Sequence, residues 1–301
     1  MSAVEQVQLE FAESIAREVW IYECVLVATF TVLVVEYFQT LEEEVRYVWK
    51  FKTTLANSLY LANRFVAPFN IALSIYVYGI SKNLSMDRCY NGYVASASLC
   101  FFQIQAAYAV LCVRACAAWG FARIIKICLI TSFIVSCAAE GYLIGRNIAS
   151  DFTLPPGILG TTHCVIYTST YVTIWVALII AVVVDLLALS LLLVKSLNTF
   201  RESGFQISLL AVMAKDGIAY FACVFALSLG NLLVIVTPVP IFREMFLLTQ
   251  AALQNALVVR LLLHLRIVNE GSDQASRATL SEFQVKHTTV NTEISDLDAM
   301  E

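Results

Sequence analysis

Long apolar segments separated by short polar stretches dominate the pattern of the chain. Windows of about twenty mostly apolar residues recur along it, which is the length that an α-helix needs to cross ~30 Å of hydrocarbon. Such unbroken runs are typical of spanning helices rather than of the alternating strands of a membrane barrel. The pattern predicts an all-α, polytopic, seven-helix bundle, with spans at about 20–39, 55–79, 94–115, 124–145, 165–194, 207–236 and 242–264.

Polar sequence flanks this predicted membrane domain, which covers residues 20–268. Residues 1–19 carry four glutamates and one arginine, the opposite of the basic start of a signal peptide. They are expected to form a short extracellular N-terminus. Residues 269–301 are rich in Ser, Thr and acidic residues, a composition typical of disorder, and predict a disordered cytoplasmic tail.

The amino-acid composition agrees with the prediction of a membrane protein. Of the 301 residues, 59% are hydrophobic and 14% are charged, against about 45–50% and about 25% in soluble domains. The lipid bilayer is therefore the expected surrounding of the chain. No nucleic acid is expected as a partner.

Lysines and arginines near the helix ends set the predicted orientation, because cytoplasmic loops carry an excess of them. With the N-terminus outside, five lie on the outer side and eleven lie on the cytoplasmic side. The eleven are Arg46, Lys50, Lys52, Arg114, Arg123, Lys126, Lys195, Arg201, Arg266, Arg277 and Lys286. This asymmetry predicts an N-out, C-in topology. The plasma membrane is the expected location, with an internal membrane as the alternative.

Seven of the nine cysteines fall in or at the edge of the predicted helices, and two do not. Cys89 precedes the third span and Cys164 precedes the fifth, so both face the oxidising side in the predicted topology, where disulfides persist. A Cys89–Cys164 disulfide is expected, with two free thiols as the alternative. The sequon Asn83-Leu84-Ser85 also lies on the outer side, which makes Asn83 a candidate for N-glycosylation.

Motifs of enzymes and cofactor sites are absent from the sequence. The three histidines are scattered, and neither HExxH nor paired CxxC spacing occurs. The chain has no GxSxG elbow, phosphate loop or kinase set. The seventh predicted span contains no lysine that could hold a retinal Schiff base. We therefore predict a protein that is not an enzyme and that binds neither a cofactor nor a metal.

Ionisable residues inside the predicted spans are the strongest candidates for function, since charges in the bilayer are costly and usually face the bundle interior with partners. They are Glu36, Arg64, Asp185, Lys215, Asp216 and Arg260. Arg64, Asp185 and Asp216 fall at a similar depth on three helices. We predict that Arg64 bridges the two aspartates and that Lys215 reaches down to the interface. Snorkelling to the interface is the alternative for the long side chains.

The run "VVEYFQTLEEEVRYVWKFKTTLANSLYLANRFVAPF" resembles the N-terminal domain of unknown function in a large basidiomycete family of multi-pass membrane proteins. The matching positions are Glu36, Tyr37, Thr40, Leu41, Glu44, Val45, Trp49, Asn63, Arg64 and Phe65. The later stretches "CVRACAAWGFAR", "KDGIAYF" and "VVRLLLHLR" also resemble motifs of that family. The resemblance implies a seven-helix membrane fold and a fungal source. It implies no activity, because the function of the family is unknown.

The architecture predicted here is similar to that of G-protein-coupled receptors. Seven helices, an outer N-terminus and a disulfide at the top of the third helix suggest a receptor-like protein that binds an outer-face ligand and contacts a cytoplasmic signalling partner. The receptor hallmarks differ, since the third span ends "VRACA" and the seventh has Asn255-Ala256-Leu257. A small-molecule or ion transporter and a non-catalytic membrane scaffold are the alternatives.

Overall fold

Helices account for nearly all of the described chain. The computed structural model describes residues 3–49, 55–81, 85–153, 164, 166–167, 171–203, 223, 225–233, 246–264 and 266–267. The helices are α1 (Ala3–Tyr47), α2 (Leu55–Ser74), α3 (Met86–Ala118), α4 (Arg123–Ser150) and α5 (Tyr171–Ser203), followed by α6 (225–233) and α7 (Phe246–His264). A π-helical segment, Ile75–Ile80, continues α2. The short strands β1 (Phe152–Thr153) and β2 (Ile166–Tyr167) pair antiparallel.

Five of these helices are long and apolar enough to cross a membrane: the Val19–Tyr47 part of α1, then α3, α4, the Val172–Lys195 part of α5, and α7. The prediction of a polytopic helical protein is confirmed by them. α2 is more polar, because it carries three buried asparagines and the buried Arg64. Most of the predicted sixth span, 207–236, and the whole tail, 269–301, lie outside the described residues.

Most of the helices are longer than the spans that hydropathy predicts, and several of their ends differ from the ends of those spans. α1 begins at Ala3, inside the predicted N-terminal segment, and ends at Tyr47 instead of residue 39. α3 and α4 also extend past both predicted ends. Hydropathy detects only the apolar part of a helix, which can lie in hydrocarbon. The helical backbone hydrogen bonds extend beyond that part into the polar residues that follow. α5 instead begins later, at Tyr171, because residues 166–167 pair as β2.

α3 is the central helix of the bundle. It packs against α2, α4 and α5, and half of its most apolar window is buried. The largest apolar cluster among the described residues gathers around its second half and joins α4, α5 and α7; its buried members are Tyr108, Leu111, Cys112, Ala115, Cys116, Leu129, Ala188 and Leu261. α4 in contrast exposes much of its apolar surface, with Ile124 82% and Ile127 65% exposed. Such surfaces suit contact with lipid.

A disulfide between Cys89 and Cys164 closes one end of the bundle, which we call the disulfide end. It ties the first turn of α3 to the segment before β2, with the two Cα atoms 5.7 Å apart. Both cysteines pack against Val77 of the π-helical segment in a small buried cluster. The predicted pairing is therefore formed. Asn83, the candidate glycosylation site, lies outside the described residues.

The opposite end holds a tight turn between α3 and α4. Gly120 and Phe121 both adopt positive φ there, 59° and 57°. Trp119, the residue after α3, donates from its indole Nε1 to the Leu191 carbonyl oxygen at 3.0 Å. This contact joins the turn to α5. We call this end the turn end.

Gly92 allows α3 to approach the π-helical segment closely. A Cβ atom built on Gly92 would lie 2.7 Å from Cγ2 of Val77, and Val is stiff at its first side-chain torsion. We expect Gly92→Ala to lower the free energy of unfolding by about 1–3 kcal/mol, the usual cost of overpacking. The midpoint of thermal unfolding in detergent measures the effect.

Gly145→Ala is the matched control, because nothing lies within 4 Å of a Cβ added at Gly145 in α4. It should keep the wild-type midpoint or raise it, since Ala favours a helix more than Gly. Equal midpoints for the two variants would contradict the close approach at Val77.

Candidate functional site

A buried ion pair joins α1 to α2 near the turn end. Arg64 Nη2 lies 2.9 Å from Glu44 Oε2, and the two side chains are 4% and 0% exposed. Trp49 Nε1 donates to the other carboxylate oxygen of Glu44 at 3.4 Å. Glu44 is thus held by partners on both sides, which a buried charge requires.

Arg64 makes further contacts with α1 that fix its orientation. Its Nη2 donates to the carbonyl oxygen of Tyr37 at 3.0 Å. Its guanidinium carbon lies 4.5 Å from the centroid of the Tyr37 ring, within the range of a cation–π contact. A planar, delocalised cation suits this combination of a carboxylate, a carbonyl and an aromatic face. Arg64 therefore positions α2 against α1.

A second ion pair joins α1 to α7. Arg260 donates from Nε and Nη2 to the two carboxylate oxygens of Glu36, the bidentate geometry of strong Arg–carboxylate pairs. Its Nη2 also donates to Gln39 Oε1 at 3.0 Å. The side chain of Arg260 is 44% exposed, whereas that of Glu36 is 9% exposed. Together the two ion pairs fasten α1 to α2 and to α7.

The predicted contact between Arg64 and Asp185 is wrong. Asp185 is buried on α5 and accepts a hydrogen bond from Ser228 Oγ of α6 at 3.2 Å. Gln250 of α7 donates to Ser228 Oγ at 2.8 Å and accepts from Asn231. Asp185 thus ends a chain of neutral polar groups. Lys215 and Asp216, the other members of the predicted network, lie outside the described residues.

The partner of Arg64 was predicted wrongly because α1 is longer than the predicted first span. A first span ending at residue 39 leaves Glu44 in a cytoplasmic loop, where it could not serve as a partner inside the bundle. The helix instead continues to Tyr47 and carries Glu44 inward. A Thr at position 40 and acids at 42–44 could have been read as a continued helix, since no Gly or Pro interrupts it.

A cavity of about 140 Å³ lies inside the bundle toward the disulfide end. Residues of α1, the π-helical segment, α3, α4, α5 and α7 line it. Its wall is mostly apolar; the polar residues on it are Tyr22, Tyr78, Tyr93, Ser96, Glu140, Asn147 and Thr173. Cavities that are chiefly apolar with a few converging polar groups are the usual form of small-molecule sites.

A hydrogen-bonded group forms the polar side of this cavity nearest the disulfide. Tyr93 Oη of α3 donates to Asp151 Oδ2 at 2.5 Å, and Asn147 Nδ2 of α4 donates to the same oxygen at 2.8 Å. Thr173 Oγ1 of α5 donates to Asn147 Oδ1 at 3.0 Å. Three helices therefore meet at one hydrogen-bonded network, which holds the polar wall in place.

Glu140 marks the deeper part of the cavity. It is 4% exposed and accepts a hydrogen bond from Gln105 Nε2 of α3 at 2.8 Å. Gln105 in turn accepts from Cys137 Sγ at 2.9 Å. Sequence reasoning missed Glu140 because the fourth span was expected to end at residue 145. Since α4 continues to Ser150, Glu140 lies well inside the bundle, and its isolation in the run "SCAAEGYLIG" was the available signal.

Comparison with known proteins identifies one matching family. Residues 20–69 match a family of unknown function, DUF6533. The matched segment holds both members of the Glu44–Arg64 pair and also Glu36. No curated protein matches the chain significantly. Within the described ranges, His, Cys, Asp and Glu side chains form no group of three that could hold a metal ion.

The Glu44–Arg64 pair can be tested by a double-mutant cycle. We expect Glu44→Leu and Arg64→Leu each to destabilise the protein by about 3–5 kcal/mol, since each leaves one charge buried without its partner. The double variant should lose clearly less than the sum of the two, which is the sign of direct contact. Thermal unfolding in detergent gives the three losses.

A second cycle serves as the control. Arg64→Leu combined with Asp185→Leu should show additive losses, because Asp185 bonds to Ser228 instead. Strong coupling between Arg64 and Asp185, with additivity between Arg64 and Glu44, would contradict the pairing described above.

Proposed function

We propose that this protein is a receptor-like seven-helix membrane protein. In this proposal a small, mainly apolar ligand enters the cavity at the disulfide end, which faces outward. The signal leaves at the turn end, which faces the cytoplasm and contacts a signalling partner there. The protein lies in the plasma membrane with its N-terminus outside, as the distribution of lysine and arginine favours.

The cavity is the observation that carries the proposal. Its volume of about 140 Å³ is close to that of an engineered cavity of about 150 Å³ that binds benzene. Aliphatic and aromatic side chains of several helices would surround the body of a ligand. Glu140 and Asn147 would face a donor or hydroxyl on it. The ligand class is therefore a small apolar molecule with one polar group.

The arrangement of the two ends favours a receptor over a transporter. A transporter needs a polar path through the full depth of the bilayer. Here the Glu44–Arg64 and Glu36–Arg260 pairs tie α1, α2 and α7 together near the turn end. A ligand at the disulfide end could act on these pairs through α1 and α7, which also line the cavity. The two pairs would then hold the resting state.

The matching segment also supports a wider family assignment. We propose that the chain is a fungal member of the basidiomycete seven-helix family, with the match at 20–69 as its first two helices. The motifs "KDGIAYF" and "VVRLLLHLR" extend the resemblance toward the C-terminal end.

Transport is the second candidate, and the buried carboxyls favour it. Glu140 and Asp185 are 4% and 7% exposed, and the hydrogen bonds they accept come from the neutral Gln105 and Ser228. Buried carboxyls in neutral surroundings are a feature of proton and cation relays. Flux into proteoliposomes containing the purified protein separates this candidate from a receptor.

Blocking the cavity tests ligand binding. Ala97 of α3 lines it, whereas Ala95 of the same helix is exposed. With apolar fractions extracted from the producing cells as ligand source, we expect Ala97→Phe to weaken the response tenfold or more, about 1.4 kcal/mol. Guanine-nucleotide exchange on co-expressed Gα subunits gives the dose response. Ala95→Phe, the matched control, should respond like the wild type.

One pair of results would contradict a receptor of this kind. No apolar fraction would stimulate guanine-nucleotide exchange, and labelled components of a fraction would accumulate inside proteoliposomes that contain the protein. Such a receptor is also contradicted if Ala97→Phe and Ala95→Phe respond equally, because the ligand would then bind elsewhere.

The orientation has its own test. We expect an epitope tag at residue 1 to bind antibody on intact cells, and a tag at residue 301 to bind only after permeabilisation, as the excess of basic residues on the C-terminal side implies. The reverse staining pattern would place the disulfide end in the cytoplasm and remove the proposed ligand entrance.

A further inference from the structure

A second cavity, of about 220 Å³, lies between α1, α2 and α7. It shares no lining residue with the cavity at the disulfide end. Most of its wall is aliphatic or aromatic, formed by residues such as Phe30, Leu33, Ala67, Pro68 and Ala256. Phe38, which also lines it, is 68% exposed. The cavity therefore reaches the surface of the bundle that faces the membrane.

Two polar side chains on the wall of this cavity have unused hydrogen-bonding atoms. Asn63 and Arg64 are 2% and 5% exposed, and both line the cavity. Asn63 Oδ1 and Arg64 Nε have no hydrogen-bond partner among the described residues. The other ends of these side chains are engaged: Asn63 Nδ2 donates to the Leu59 carbonyl and Arg64 Nη2 to Tyr37. Unpaired buried polar atoms are rare enough to require an explanation.

We propose that this cavity binds a membrane lipid of the sterol class, with its hydroxyl group at Asn63 and Arg64. A hydroxyl is both a donor and an acceptor. It would accept the Nε–H of Arg64 and donate its own hydrogen to Asn63 Oδ1. One group on the ligand thus satisfies both unpaired atoms, which neither a pure donor nor a pure acceptor could do.

The charges around the cavity select a neutral head group. The positive charge of Arg64 is already balanced by Glu44 at 2.9 Å. Glu36 lines the same cavity and is already paired with Arg260. A phosphate or a fatty-acid carboxylate would therefore find no unpaired cation among the described residues of this wall. A neutral hydroxyl needs none.

The shape and walls of the cavity favour a rigid body over a flexible chain. The space takes the hydroxyl-bearing rings of a sterol, while the remaining rings and tail extend past Phe38 along the outside of α1. A fused ring system loses little conformational freedom on binding, so its apolar burial is not offset by ordering. The aromatic rings of Phe30 and Phe38 offer flat contact surfaces to such a body.

Photo-crosslinking tests the site on the full-length protein in lipid nanodiscs. The probe is a cholesterol analogue with a diazirine in ring B, which places the reactive atom close to the hydroxyl. We expect the label on peptides that contain Phe30–Val34 or Ala256–Val259, located by mass spectrometry. Excess unlabelled cholesterol should reduce this label at least tenfold, whereas 5α-cholestane, which lacks the hydroxyl, should not.

Two variants and a control complete the experiment. Asn63→Leu removes the acceptor, and Ala67→Phe fills the cavity; each should reduce the label at least tenfold. Ala28→Phe adds the same bulk on an exposed position of α1 and should leave the label unchanged. Competition by the two unlabelled sterols uses the wild-type protein, so the test stands even if a variant fails to fold.

Three results would overturn the site. The first is label spread evenly over the lipid-facing helices, and the second is equal competition by cholesterol and cholestane. The third is stronger labelling of the same peptides by a photoactivatable fatty acid, which would show that an anionic head group is preferred. The test requires no signalling readout, so its outcome is independent of the receptor proposal.

Discussion

The ion pair between Glu44 and Arg64 fixes how the first two helices lie against each other, and the turn end of the bundle is organised around it. Both side chains are almost fully buried, so neither charge could remain if the other were absent. The pair brings Tyr37 under the guanidinium and sets the face of α1 that meets α7. Glu36 on that face then reaches Arg260. The match to a family of unknown function covers this two-helix unit.

The buried polar groups in the rest of the bundle differ between its disulfide end and its middle. Toward the disulfide end, Tyr93, Asn147 and Asp151 form a hydrogen-bonded network beside a mostly apolar cavity. In the middle, the buried carboxyls of Asp185 and Glu140 each accept a hydrogen bond from a neutral side chain on a neighbouring helix. Hydrogen bonds between helices matter here because lipid supplies no water to satisfy polar atoms. Neither ion pair contributes a residue to the cavity at the disulfide end.

Hydropathy predicted the approximate place of most helices because the thickness of hydrocarbon sets a minimum length of apolar sequence. It could not predict the ends, since α1 and α4 continue as helices in polar sequence. That difference moved Glu44 and Glu140 from the expected interface into the bundle. The Cys89–Cys164 pair could be predicted because both cysteines lie on the same side of the predicted membrane. That prediction does not depend on how any helix is rotated about its own axis. The partners of Arg64 depend on how each helix is rotated, and a single sequence contains only weak signals of rotation. A neutral partner such as Ser228 cannot be recognised in the sequence as the partner of a buried carboxyl.

The distance between the Arg64 guanidinium and its carboxylate tests the central ion pair most directly. Solid-state NMR can measure dipolar dephasing of ¹⁵N-labelled arginine by ¹³C-carboxyl-labelled glutamate or, in a second sample, by ¹³C-carboxyl-labelled aspartate. An Arg260→Lys background removes the guanidinium of the other pair. The Arg64 Nη signal should dephase strongly with labelled glutamate, as a 2.9 Å Nη2–Oε2 contact requires, and weakly with labelled aspartate. Strong dephasing by aspartate alone would show that Arg64 pairs with an aspartate and that Glu44 is not its partner.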